Sequence, residues 1–104
     1  MSDWEVVTRA DQLSEGKRLS VIVDDTPALL FQAGGAYYCI EDICPHDGQP
    51  LADGPLDGTL ITCPRHGAKF DITTGAVRQM PATAPVQVFD VELRDGSLVA
   101  RPRR

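Results

Sequence analysis

A chain of 104 residues is the length of one domain with a single modest core. Its formal net charge of −5 argues against nucleic acid and anionic membrane as partners, since both call for a basic surface. It has no apolar run of about 18 residues, so no transmembrane helix is expected, and Met1-Ser2-Asp3-Trp4-Glu5 lacks the basic-then-apolar pattern of a signal peptide, which points to the cytoplasm.

Residues 4–8 read as a first strand, with Trp4, Val6 and Thr8 on one face. Residues 10–16 are polar and end in glycine, as a turn or short helical turn does. Residues 19–23 alternate well enough for a strand, and Asp24-Asp25-Thr26-Pro27 is turn chemistry. Two apolar runs, 28–33 and 36–40, flank Gly34-Gly35, a hairpin signal. Cys39 in the return strand reads as a small buried hydrophobe. Residues 41–58 change character and become rich in Asp, Gly and Pro, with Leu51 and Leu56 expected to fold beneath. Asp57-Gly58 marks a tight hairpin into a short strand at 59–62.

Further on, Phe70 and Ile72 alternate with Lys69 and Asp71, and Thr74-Gly75 turns the chain into residues 76–78. Pro81 and Pro85 frame an irregular connector, because proline is excluded from central strands. Residues 86–94 are the longest strand candidate. Val86 and Val88 share one face and Val91 and Leu93 the other, a phase change that predicts a β-bulge near Phe89–Asp90. Asp95-Gly96 turns into a last strand at 97–101, and Pro102-Arg103-Arg104 is expected to fray. Many short strands and no helical stripe give an all-β antiparallel fold in one domain, residues 1–104.

The chemistry concentrates in two loops, Cys44-Pro45-His46-Asp47-Gly48 and Cys63-Pro64-Arg65-His66-Gly67. They hold both histidines and two of the three cysteines, so a disulfide framework is not expected. Proline stiffens each loop, and glycine after each pair lets the backbone turn sharply. Two thiolates and two imidazoles suit zinc, or an iron–sulfur centre in which two His replace two Cys on one iron. Zinc fingers usually group cysteines with cysteines and histidines with histidines. Here each pair is mixed, C-x-H and then C-x-x-H.

The signature C-P-H-x-G…C-P-x-H-G-x-x-F resembles that of the Rieske [2Fe–2S] family, and the likeness extends over nearly the whole chain. The resemblance implies an antiparallel β-sandwich-like fold with a small inserted cluster-binding subdomain at about residues 43–70. It implies one [2Fe–2S] cluster, with Cys44 and Cys63 on an inner iron and His46 and His66 on an outer one nearer solvent. Rieske proteins of quinol-oxidising complexes carry an extra cysteine in each ligand loop; Gln49 and Arg65 stand there in this chain. Those proteins also place a Ser and a Tyr past the second loop, whose hydroxyls raise the potential, where this chain has Ala68 and Phe70. The expected potential is therefore at the low end of the range, roughly −150 mV.

A small, low-potential Rieske chain resembles the ferredoxins of bacterial ring-hydroxylating oxygenase systems. That implies a flavoprotein reductase using NAD(P)H as donor and a terminal oxygenase as acceptor. It also implies an electron carrier and not an enzyme, since no histidine remains for a second, mononuclear iron site. Two alternatives stay open: a small Rieske subunit of a larger enzyme such as an assimilatory nitrite reductase, and a zinc-stabilised interaction module. Asp42, Asp47, Asp53 and Asp57 read either as an acidic docking rim or as turn residues. Arg65 reads as a partner contact, as a charge that raises the potential, or as a solvated cation, and Gln49, Pro50 and Leu51 as shaping the partner surface by analogy alone.

Overall fold

A computed structural model describes residues 4–44, 48, 50–65, 67–79 and 84–103. Ten strands follow in order: β1 (Glu5–Arg9), β2 (Arg18–Val23), β3 (Thr26–Ala33), β4 (Ala36–Glu41), β5 (Leu56–Asp57), β6 (Leu60–Thr62), β7 (Lys69–Asp71), β8 (Val77–Gln79), β9 (Val88–Arg94) and β10 (Ser97–Pro102). A 3-10 turn, Ala10–Gln12, follows β1. Every strand pairing is antiparallel. The all-β expectation holds.

The strands form a six-stranded sheet ordered β1-β10-β9-β4-β3-β2 and a four-stranded sheet ordered β5-β6-β7-β8. The large sheet curls until β1 meets β2, where the Asp24 amide donates to the Glu5 carboxylate. Its tight hairpins use left-handed backbone, at Asp24 and Asp25, at Gly34 and Gly35, and at Asp95 and Gly96, which suits the right-handed twist of the flanking strands. Pro27, expected in the first turn, lies already inside β3, opposite Ile22. Its carbonyl accepts the Asp42 amide.

Two cores result. One lies inside the curl and holds Leu13, Val21, Val23, Ala28, Leu30, Cys39, Phe89, Leu98 and Ala100. The other lies between the sheets and joins Leu29, Phe31 and Ile40 of the large sheet to Ile61, Phe70 and Ile72 around the small one. Cys44 and Cys63 belong to this second core.

Three expectations fail. First, no bulge interrupts β9 at Phe89–Asp90: the pairing with β10 runs without a break from Phe89↔Pro102 to Arg94↔Ser97. The change of hydrophobic phase has another cause. Val86 and Val88 face the core between the sheets, while Phe89 and Val91 face the core inside the curl. The strand keeps its period of two and changes the side it buries; Leu93, beyond both cores, is 54% exposed.

Second, the shared face of Trp4, Val6 and Thr8 is broken by an irregularity between Val6 and Thr8. Val7 turns to the core and Val6 is left 66% exposed. Third, the tail is anchored. Pro102 lies in β10, and the Arg103 amide donates to the Val88 carbonyl at 3.3 Å. The Arg103 guanidinium reaches Asp90 at 2.9 Å and the Thr73 carbonyl at 3.1 Å, tying the two sheets. Arg104 lies outside the described residues.

Candidate metal centre

Each loop leaves a core position and closes in the same way. The Gly48 amide donates back to the Cys44 carbonyl at 2.7 Å, and the Gly67 amide to the Cys63 carbonyl at 3.0 Å. Both glycines have positive φ, 75° and 77°, where a side chain would be strained. Each buried cysteine is thus bonded back to by a left-handed glycine a few residues on, and both cysteines lie in one core.

Cys44 and Cys63 are fully buried and pack in the same cluster as Leu51, Ala68 and Phe70. The Cys63 amide donates to the Ala68 carbonyl at 2.7 Å, so this loop is also cinched from its far side. Strand β6 delivers Cys63, and β7 carries Phe70 beneath it. None of the three cysteines is in a disulfide. Two buried thiols in one core, each at the start of a loop closed by a glycine, are donors of the kind that hold one iron of a two-iron cluster. His46 and His66, the other expected ligands, lie outside the described residues, as do Asp47 and Gln49.

Cys39 is buried as expected, in the other core. Burial alone pushes its thiol up to about 12, so it stays protonated and inert as a ligand. Leu51 is fully buried in the same core as both cysteines, and Leu56 packs against that core. The acidic residues divide. Asp42 accepts the Leu51 amide at 2.7 Å, which ties the loop after the first cysteine to the end of β4 and makes it a structural residue. Asp53 and Asp57 are exposed, as are Pro50, Pro64 and Arg65.

The sequence did not point to three further residues that hold the loops. Arg18 reaches from β2 to the carbonyls of Ala52 and Gly54. The Gln79 amide nitrogen donates to the Gly67 carbonyl at 3.0 Å, fixing the exit of the second loop from β8. Gly54 lies so close to β6 that a Cβ built on it would stand 2.0 Å from the Thr62 carbonyl oxygen. Long-range side-chain reach leaves no local pattern. The sequence offered only an arginine just before an expected strand and a glycine before Pro55.

Asp71 stabilises the turn between β7 and β8. Its carboxylate accepts the Thr73 hydroxyl at 2.6 Å and the Thr73 amide at 2.9 Å, with Arg78 nearby at 3.8 Å. The Thr73 hydroxyl bond is the main cause that holds the Asp71 carboxyl below the ordinary carboxylate range, against the opposing effect of burial.

The model of the Rieske [2Fe-2S] domain matches residues 3–90. Ferredoxin CarAc of Metapseudomonas resinovorans is 35% identical over 96 residues, covering 91% of this chain and 90% of that protein. Among solved structures, the ferredoxin of carbazole 1,9a-dioxygenase from Nocardioides aromaticivorans IC177 superposes with a TM-score of 0.90 at 29% identity, covering 98% of this chain and 100% of that one. A chain from the complex of reduced oxygenase and oxidized ferredoxin in carbazole 1,9a-dioxygenase gives a TM-score of 0.87 at 30% identity, covering 100% and 99%. No helix among the described residues is long and apolar enough to cross a membrane. A family match across most of the chain, with relatives named as ferredoxins, removes the zinc reading: the chain belongs to the Rieske [2Fe–2S] family, with a Rieske-type [2Fe–2S] cluster as its cofactor.

Proposed function

We propose that this protein is the ferredoxin of an oxygenase system, taking single electrons from a flavoprotein reductase that uses NAD(P)H and delivering them to a terminal, ring-hydroxylating oxygenase in the cytoplasm. Cys44 and Cys63 hold the inner iron, and His46 and His66 the outer one, within a cluster-binding part of about residues 43–70 of a single domain. The observation that carries this reading is the burial of both cysteines in one core under two loops closed alike. Relatives described as dioxygenase ferredoxins, and a neighbour solved together with its oxygenase, support the choice of partners.

The cluster supplies one reversible electron at a time. The chain's own residues set where that exchange happens and at what potential. Leu51, Ala68, Phe70 and Ile61 enclose the cysteine side in an apolar core, which leaves the histidine side as the face toward partners. Ala68 and Phe70 are fully buried beside the cysteines and carry no hydroxyl. Neither can donate a hydrogen bond to a sulfur, and such bonds favour the more negative, reduced cluster. The resulting potential is low, roughly −150 mV.

Potentiometry of the purified protein, with electron paramagnetic resonance to count nitrogen ligands, tests both parts. A low midpoint with two nitrogens on one iron is expected, and Phe70→Tyr should raise that midpoint. A wild-type midpoint above zero would refute the low-potential assignment. For the partners, a flavoprotein reductase with NADH should reduce the protein, and the reduced protein should support turnover by an oxygenase. Failure with every reductase and oxygenase from the same source would overturn that part.

A further inference from the structure

We propose that Arg18 is a positioning residue for the cluster, clamping the loop between the two ligand pairs onto the large sheet. The inference rests on the ligand reading above. Arg18 opens β2 and is half-buried. Its Nη1 has two N–H bonds and spends them on two carbonyls, Ala52 at 2.9 Å and Gly54 at 2.5 Å. The guanidinium carbon lies 5.6 Å from the centroid of the Phe31 ring. Phe31 is itself fully buried in the core that contains Cys44 and Cys63.

Few hydrogen bonds among the described residues hold the clamped segment. Residues 50–55 belong to no strand. Their own backbone bonds are Gly54 to the Leu51 carbonyl, and Pro55 accepting from Thr62. Asp42 holds the Leu51 amide at one end. Arg18 holds the middle, from a strand more than thirty positions away.

The grip bears on both ligand loops. Ala52 follows Leu51, which is buried in the same core as both cysteines. Gly54 presses on Thr62, the residue before Cys63, with no room between them for a methyl group. A shift of Gly54 therefore acts on the backbone just before Cys63, and through Leu51 on the core that holds both cysteines. Guanidinium bonds to carbonyls are charge-assisted.

The test compares cluster-loaded Arg18→Met and Arg18→Lys with the wild type. Methionine keeps an apolar stem over Phe31 and donates nothing; lysine keeps a charged donor. Cluster loss is followed by visible absorption under chelator, at a temperature where far-ultraviolet circular dichroism is unchanged, and g-values are recorded on the reduced proteins. Arg18→Met should lose its cluster about tenfold faster, the scale of one charge-assisted bond, with shifted g-values, and Arg18→Lys should stay within about threefold of the wild type. Wild-type rate and g-values in Arg18→Met would overturn the proposal. So would equal damage in both variants that follows a common loss of thermal stability, since that marks a residue of the fold alone. A wild type without two nitrogen ligands would strike the ligand reading itself, and this inference with it.

Discussion

Gly54→Ala is the substitution whose effect the structure fixes most tightly. The added carbon would stand 2.0 Å from the Thr62 carbonyl oxygen and 3.1 Å from that of Leu51. Neither neighbour is a flexible side chain. The Thr62 amide is bonded to Pro55 at 3.0 Å, and Thr62 is paired with Lys69 across β6 and β7. The strand cannot retreat without breaking that ladder, so the 51–55 loop must move. Overpacking of this kind costs about 1–3 kcal/mol, and a backbone contact puts this case near 3. For a domain of this size that is a fall in melting temperature of roughly 10–20 °C. The assay is a thermal scan of cluster-loaded protein by circular dichroism, at one heating rate for all variants. Gly35→Asn is the control: its φ is also left-handed, at 79°, but it faces open space and asparagine tolerates that backbone, so its change should stay within about 1 kcal/mol. A Gly54→Ala protein melting within about 2 °C of the wild type would refute this account of the loop.

Other expectations use the same measurements. Phe89→Ala should lower stability by about 3–5 kcal/mol, read by denaturant or thermal unfolding, because it empties a fully buried site; Leu93→Ser, at a position 54% exposed, should change it by less than about 0.5 kcal/mol. Asp71 titrates below its ordinary range, so its contribution is complete above the unfolded-state pKa of about 4 and disappears as pH falls through the lower folded value. The difference in melting temperature between wild type and Asp71→Asn should therefore be present at neutral pH and vanish in acid, and should correspond to less than about 1 kcal/mol because the site is close to solvent. A difference that grew on acidification would contradict this. Cys39, with its thiol near 12, has about one part in ten thousand as thiolate at pH 8, so iodoacetamide should spare it in the folded protein and modify it only on unfolding, as peptide mass mapping would show.

Strand identities and hairpins were largely legible because they depend on local chemistry. Gly34-Gly35, Asp57-Gly58 and Asp95-Gly96 each announce a reversal, and each occurs where expected. Of the expected ligands, Cys44 and Cys63 are found buried in one core, while His46 and His66 lie outside the described residues. What could not be read was which side each strand buries. Val88 and Phe89 are neighbours that serve different cores, and a sequence read for one buried face turns that into a bulge. Arg18, Gln79 and Arg103 act across long separations, where residue type alone gives no distance. Asp42 looked like a possible docking residue, but its carboxylate is already committed to the Leu51 amide.

Strands β3, β4 and β9 are party walls. Leu29 and Phe31 face one room while Ala28 and Leu30 face the other, and Ile40 and Cys39 divide likewise. Neither room can be emptied without stripping one side of the same three walls, so thermal disassembly should be all-or-none. The peptide amides of these walls should exchange with deuterium last, while the outer strands β1 and β5 fray first.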